Sequence, residues 1–230
     1  MKYEIDSRLT HELEQRLRNK YVTPREDLHL TDLISCLTAT YFNKTDPLIH
    51  DKQAVMFFAI GFAMENVMLR DIANPNAPES EEVDDIYMTE DYVSLADGMG
   101  VDLKTTRMSL NQDTGKPKYG WPDSWMQQFM AYARKRKSLV YSAAVVELIP
   151  ARLTCITFTF TQAELDENWR YILSRKETYV DAMFSAGGPP QPFKFNQDWE
   201  CKNRTSTCKY FMRCTQIDKE RKLATQVVTL

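Results

Sequence analysis

Glycine and long hydrophobic runs are both scarce in this chain. It has 7 glycines in 230 residues, about half of average usage, so little material exists for a glycine-rich loop that cradles phosphate. The longest uncharged apolar run, residues 54–64, has 11 residues, and a membrane-spanning helix needs roughly 20. The sequence therefore predicts a protein without a membrane span.

A secretory signal is also missing, because the first residues are charged throughout and contain no apolar stretch. This predicts a cytoplasmic, reducing location, in which the five cysteines are not expected to form disulfides. Hydrophobic residues make up 43% of the chain and charged residues 27%, which is ordinary globular usage and excludes disordered or collagen-like chains.

The charge is unevenly distributed, although the net charge is only −3. Residues 71–97 contain nine acids and no lysine or arginine, whereas residues 102–138 contain eight basic residues and three acids. A solvated acidic loop is the simplest interpretation. The alternative is a metal centre set in a surface that attracts polyanions such as DNA.

Hydrophobic periodicity and turn signals predict an α/β protein. One domain, 1–230, is expected, with an N-terminal helical part at 28–72, a core at 84–186 and a C-terminal segment at 187–230. The predicted elements are helices at 8–19, at 29–41 (capped by His29 or Thr31) and at 51–70 (largely buried), a loop at 73–84, a hairpin at 89–106, a helix after Pro122, strands at 138–148 and 153–160, and a helix from a Thr161–Glu164 capping box to about 185.

The hairpin is the most informative of these elements. Asp97-Gly98 is a strong two-residue turn signal between two strand-like runs, and counting outward from it places Asp91 opposite Lys104. Because side chains alternate along a strand, Asp91, Asp102 and Lys104 are expected on one face. Two carboxylates that converge can hold Mg²⁺ or Mn²⁺, and a lysine beside them can position water or stabilise developing charge.

Glu65 is a candidate third metal ligand. It ends the apolar run of the predicted buried helix, and a buried carboxylate is costly unless it is paired or ligating. The simpler interpretation is that Glu65 begins the exposed end of that helix, and the residues alone do not separate the two.

The cysteines form a second candidate metal site. Cys201, Cys208 and Cys214 crowd the C-terminus among basic and aromatic neighbours, and Cys36 is the natural fourth ligand. Close thiolates in a reducing compartment indicate zinc or an iron–sulfur cluster, and the spacing does not distinguish them. Cys155 lies in a strand-like run and is expected to be a small buried residue.

Five motifs in order carry a resemblance to the PD-(D/E)xK nuclease superfamily. The chain resembles its RecB-like branch with an iron–sulfur cluster, which includes CRISPR-associated Cas-four type nucleases and phage and exonuclease V-like proteins. The matching motifs are His29-x-Thr31-Asp32-Leu33 before Cys36, Gly61-x-x-x-Glu65, Asp91 with Asp102-x-Lys104, Gln128-x-x-x-Tyr132, and the three C-terminal cysteines.

The resemblance implies a restriction-endonuclease-like core and metal-dependent cleavage of single- or double-stranded DNA, with exonuclease action expected. Asp91, Asp102 and Glu65 would hold Mg²⁺ or Mn²⁺, and Lys104 would be the catalytic lysine. Gln128 and Tyr132 would position substrate or support the site. A 4Fe–4S cluster would be ligated by Cys36, Cys201, Cys208 and Cys214. Partners are expected to be DNA and proteins of recombination, repair or CRISPR adaptation.

The chain departs from the family pattern in ways that keep alternatives open. Met64 stands where many relatives have a histidine, which favours a second hypothesis, a catalytically weakened DNA-binding or adaptor protein. Glu90 stands where a proline often precedes the first acid, and the gap between Cys201 and Cys208 is longer than usual. Asp97 and Asp85 are rival candidates for the first metal acid.

Overall fold

The computed structural model describes residues 7–21, 25–50, 52–70, 80–94, 97–111, 113–185, 188–190, 201 and 207–228. The chain forms two compact units. The first contains residues 1–30 and 51–170, and the second contains residues 31–50 and 171–230.

The first unit is built around a four-stranded mixed sheet. Its strands are β3 (Tyr92–Val93), β4 (Gly100–Thr106), β5 (Val140–Leu148) and β6 (Ala151–Thr159), in the order β3-β4-β5-β6. The β4–β5 pair is parallel and the other two pairs are antiparallel. A separate two-stranded hairpin consists of β1 (Glu81–Val83) and β2 (Ile86–Met88).

The helices of this unit are α1 (Ser7–Tyr21), α4 (Lys52–Glu65), which continues into a π-helical turn (Asn66–Arg70), α5 (Asp123–Lys135) and the start of α6 (Gln162–Phe184). Of these, α4 and α5 pack against the sheet, and α1 packs against α4. Parallel strands require a crossover, and α5 supplies it between β4 and β5. Phe129 of α5 stacks on Tyr141 of β5 with ring centroids 6.0 Å apart, and both are fully buried. The predicted mixed α/β fold with a flanked central sheet is thus confirmed.

The second unit contains α3 (Leu37–Thr45), most of α2 (Leu30–Ile34), most of α6, and α7 (Phe211–Val228). The prediction of one helix through residues 29–41 was wrong, because the chain breaks at Ser35 and Cys36. The Arg175 guanidinium of α6 donates to the carbonyl oxygens of Leu33 and Ser35. These bonds satisfy acceptors that a helix end leaves open.

Most of the other predicted elements are present. Thr161 and Glu164 form the predicted capping box, since the Thr161 amide donates to Glu164 Oε2 at 2.7 Å and the Glu164 amide donates to Thr161 Oγ1 at 3.2 Å. The predicted loop at 73–84 was wrong at its end, because β1 occupies 81–83; residues 73–79 lie outside the described residues.

The helix at 51–70 is less buried than predicted. Val55 and Ala59 are buried, but Phe57, Phe58 and Phe62 are exposed. An apolar helix is fully covered only when neighbours pack on every side, and here only one stripe of the helix is buried in this way.

Candidate metal centre

The β3–β4 hairpin brings Asp91 to Asp102. The strands pair Tyr92 with Val101 and Val93 with Gly100, a register two residues away from the predicted one. The Ser94 amide donates to the Met99 carbonyl at 2.8 Å, so four residues rather than two separate the paired positions. A shift of two keeps every side chain on its face. Asp91 therefore remains on the face of Asp102, and its Oδ2 accepts a 2.7 Å hydrogen bond from the Leu103 amide.

The rival first acids lie elsewhere. The carboxylate of Asp97 accepts from the Met99 amide at 3.1 Å inside the hairpin loop. Asp85 lies in the β1–β2 turn with φ of 53°. Asp91 is thus the candidate that the structure brings to Asp102.

Asp102 is the most buried acid of this group, at 1% exposure. Lys104 Nζ lies 2.6 Å from its Oδ2 as an ion pair. Its Oδ1 has no hydrogen-bond partner in the described part of the chain. A buried carboxylate oxygen without a partner is costly unless a cation or a water molecule completes its coordination.

The electrostatics of the two acids reflect this burial. Burial raises the pKa of Asp91 to about 7, and the negative charge of Asp102 adds to that effect. Burial also raises the pKa of Asp102, against the opposing effect of Lys104. The carboxyl of Glu65 raises the pKa of both acids, so Glu65 lies within electrostatic range of the pair. A divalent cation would remove the repulsion among these groups.

A chain of hydrogen bonds fixes Lys104. Its Nζ donates to Gln128 Oε1 at 2.7 Å, and Gln128 Nε2 donates to Tyr132 Oη at 3.1 Å. The Tyr132 hydroxyl in turn donates to the Thr89 carbonyl at 2.7 Å, and burial raises its pKa well above the ordinary value. Gln128 and Tyr132, the two helix residues that the sequence singled out, thus hold the Lys104 ammonium in place.

The second helix motif, Gly61-x-x-x-Glu65, lies on α4 and includes Met64. Met64 packs against the buried cluster of Leu103, Ala144 and Val146. A methyl group added to Gly61 would approach only Thr105 Oγ1, at 3.7 Å. Packing therefore does not require glycine at this position, and the Met64 side chain lies in an apolar environment.

Glu90 is the important buried residue that sequence reasoning did not assign. It is 2% exposed and pairs with Arg136 Nε at 2.6 Å and Lys135 Nζ at 3.2 Å. The sequence does contain a signal for this role, because Glu90 lies next to Asp91 and the basic residues at the end of α5 can pair with it. These pairs connect the hairpin to α5.

Other acids of the acidic segment also have partners within the fold. Glu81 lies 3.4 Å from Lys135, and Asp84 accepts from Trp169 Nε1 at 2.9 Å. Of the acids at 80–94, Asp91 contributes to the carboxylate pair, while Glu81, Asp84 and Glu90 take partners elsewhere. Three acids of the segment therefore have partners within the fold, and two of the basic residues of α5 and its end, Lys135 and Arg136, are neutralised.

The second unit gathers four cysteines. Cys201 and Cys214 are buried, and Cys36 and Cys208 are half-buried. Burial raises the pKa of the Cys214 thiol to about 12, and the thiols of Cys36, Cys208 and Cys201 add to this effect. The Cys214 thiol therefore lies within electrostatic range of the other three.

Hydrogen bonds hold the two cysteine-bearing segments together. Tyr210 Oη donates to Asn43 Oδ1 at 2.8 Å, and Arg213 pairs with the Asp46 carboxylate at 2.7 Å. The Cys208 amide also donates to the Cys201 carbonyl at 3.0 Å. These contacts place the start of α7 against the helix that follows Cys36.

Cys155 does not behave as predicted, because it is exposed. It lies on β6, the last strand of the sheet, where every second side chain from Ala151 to Thr159 faces outward.

Among the described residues, no three His, Cys, Asp or Glu side chains converge on the position of a single ion. A Mg²⁺ site does not require three, because Mg²⁺ is commonly held by one or two carboxylates together with substrate phosphates. In a 4Fe–4S cluster the thiolates bind different iron atoms, so they need not converge on one point.

None of the described helices is long and apolar enough to cross a membrane. No family model matches the chain, and no curated protein is similar to it. The crystal structure of SSO0001 matches with a TM-score of 0.53 over 90% of this chain and 96% of that one, at 14% sequence identity. At this identity the likeness is one of fold.

Proposed function

We propose that this protein is a metal-dependent DNA nuclease that hydrolyses phosphodiester bonds with Mg²⁺ or Mn²⁺ held by Asp91 and Asp102. The observation that carries the proposal is the carboxylate pair of the half-buried Asp91 and the buried Asp102, in which Asp102 Oδ1 has no hydrogen-bond partner among the described residues. Oxygen donors of this kind suit Mg²⁺ and Mn²⁺. Glu65, whose charge acts on both acids, is proposed as a further ligand, although its carboxylate does not converge with theirs on one point in the described structure.

The residues around the pair have complementary roles. When bound, the metal would polarise the phosphoryl group and lower the pKa of its water. Lys104, held between Asp102 Oδ2 and Gln128 Oε1, is positioned to orient the attacking water or to stabilise negative charge that develops on the phosphate. Gln128 and Tyr132 keep that ammonium in place.

DNA is the proposed substrate because of the motifs and because exposed cations follow the hairpin in the chain. Arg107, Lys116 and Lys118 are exposed on the segment between β4 and α5, and exposed cations of this kind neutralise phosphates. We expect exonuclease action, as the resemblance implies.

The four cysteines are proposed to ligate a 4Fe–4S cluster that stabilises the second unit. The effect of the other three cysteines on the pKa of Cys214 supports this proposal. Thiols near one another repel as thiolates unless a cationic centre binds them. Zinc is the alternative occupant. A brown protein with absorbance near about 400 nm would indicate iron–sulfur, and a colourless zinc protein would exclude it.

Cleavage of end-labelled single- and double-stranded DNA tests the function. We expect cleavage with Mg²⁺ or Mn²⁺, none with chelator, and loss of at least about a thousandfold in Asp102→Ala and Lys104→Ala. Asp97→Ala, on the same hairpin but in its loop, is the matched control and should cleave normally. Full activity in both site variants would contradict the proposal.

Met64 supports a second candidate, a DNA-binding or adaptor protein of recombination, repair or CRISPR adaptation with weakened catalysis. Its side chain packs in the apolar cluster around Leu103, so no imidazole is available there. Tight, salt-sensitive DNA binding without cleavage in either metal would favour this candidate.

A further inference from the structure

Aromatic side chains border the candidate metal centre on the side of Lys104. The Lys104 ammonium lies 5.9 Å from the ring centroid of Trp125, and the rings of Trp125 and Trp121 are 6.1 Å apart. Both tryptophans are half-buried, so each keeps part of its surface accessible to solvent. Trp125 is thus the indole next to the lysine, and Trp121 lies next to Trp125.

A third aromatic side chain, Tyr119, lies two residues before Trp121 in the chain. Tyr119 is 90% exposed, and a short turn links it to Trp121, in which the Gly120 amide donates to the Pro117 carbonyl at 3.2 Å. Lys118 Nζ lies 5.3 Å from the Tyr119 ring. A ring this exposed contributes little to the core, so its removal should not disturb folding.

Trp121 is held firmly, unlike Tyr119. Its ring meets Phe158 of β6 edge-on with centroids 5.3 Å apart, and Phe158 lies against the buried Phe129. Trp121 is thus anchored on the sheet while part of its ring stays accessible. A rigid, partly exposed ring beside a flexible cation is the arrangement that binds unpaired bases.

We propose that Trp125, Trp121 and Tyr119 form an aromatic path on which the unpaired bases of a DNA strand stack as its backbone enters the metal centre. Lys116 and Lys118, both exposed on the same segment, contact the phosphates. Paired bases are already stacked on their neighbours and cannot use the path, so the path selects single-stranded DNA. This inference rests on the proposed function, because the role of the path is to guide DNA to the metal centre at Lys104.

Binding of matched oligomers tests the path in the full-length Asp102→Asn protein, which retains the path but not the catalytic carboxylate. The probes are a twelve-residue oligo(dT) and an abasic strand of the same length and charge. We expect oligo(dT) to bind at least about tenfold more tightly than the abasic strand. Equal affinity for the two strands, or equal affinity for a blunt duplex, would overturn the proposal.

Variants of the path make the test specific. Tyr119→Ala and Trp121→Leu should each lower oligo(dT) affinity about five- to tenfold with little effect on the abasic strand, and Trp121→Phe should restore most of the loss. Phe184→Ala is the control, because this ring is 87% exposed at the end of α6 and should change nothing. Unchanged affinity in both path variants would overturn the proposal.

The two proposals fail in different ways. Normal cleavage by the wild type, together with base-independent binding, would remove the aromatic path and leave the nuclease intact. Base-dependent binding through Tyr119 and Trp121 without any cleavage would support the path and remove the catalytic proposal.

Discussion

Placing the carboxyls of Asp91 and Asp102 side by side with little access to water costs folding free energy, and a bound metal ion would offset this cost. Both carboxyls have raised pKa values, mainly because they are buried. The raised pKa means that the folded state holds the Asp91 proton more tightly than the unfolded chain does. Its contribution to stability is therefore complete below about pH 4 and is lost as the pH rises to about 7.

Replacing Asp91 with asparagine should consequently stabilise the metal-free protein at pH 8. The amide oxygen can still accept from the Leu103 amide, while the charge and its repulsion by Asp102 disappear. We expect a gain of about 1–3 kcal/mol in the free energy of unfolding, with a weaker decline between about pH 4 and about pH 7. Urea denaturation in chelator measures it, and a loss of stability at pH 8 would contradict this account.

Metal binding should show the opposite pH dependence. Mg²⁺ has to displace the proton that Asp91, with its pKa of about 7, holds below neutral pH. The increase in melting temperature caused by Mg²⁺ is thus expected to be larger at pH 8 than at pH 6 and absent in Asp91→Asn. Differential scanning calorimetry checks this, with Asp97→Asn as the control that should respond like the wild type.

At the scale of elements, the hairpin shows how much the sequence could predict. The alternation of side chains placed Asp91, Asp102 and Lys104 on one face correctly, although the turn was misplaced. The break between α2 and α3 could not be predicted, because it depends on Arg175, which is 140 residues from Ser35 in the chain. The exposure of Cys155 depends on the strand order, which local patterns do not encode.

Two glycines near the site should respond oppositely to alanine. A methyl group on Gly100 would lie 2.5 Å from Tyr141 Cε2 and 2.6 Å from Arg136 Nε, so the buried ring and the Glu90 ion pair would have to move. We expect Gly100→Ala to cost about 2 kcal/mol or more. Gly61→Ala has room and removes a helix-weakening residue, so it should be neutral or stabilising by up to about 1 kcal/mol. Urea denaturation of both variants compares them.

At the scale of the whole molecule, the charges are more balanced than the sequence alone indicates. Acids of the acidic segment pair with Lys135 and Arg136, which leaves Arg107, Lys116 and Lys118 as exposed cations close in sequence to the hairpin. A chain of net charge −3 can therefore still present exposed cations to a polyanion. The cysteines connect distant parts of the sequence in a similar way, since Cys36 meets a segment that begins at Cys201.

Loss of a cysteine ligand should affect metal content and stability together. Cys36→Ala and Cys214→Ala are expected to lose most of the bound iron and about 2–5 kcal/mol of stability, because the closed loop between residues 36 and 201 reopens. Cys155→Ala should keep the full iron content. Iron analysis and thermal melts measure both effects, and undiminished iron in the first two variants would exclude this ligand set.

The central claim is that Asp91 and Asp102 hold a divalent metal. Anomalous diffraction from crystals soaked in Mn²⁺ tests it most directly, because it locates the ion itself. We predict a peak within bonding distance of Asp102 Oδ1 and the Asp91 carboxylate, which disappears in Asp102→Asn crystals. A wild-type site without a peak, or an ion bound only elsewhere, would contradict the account.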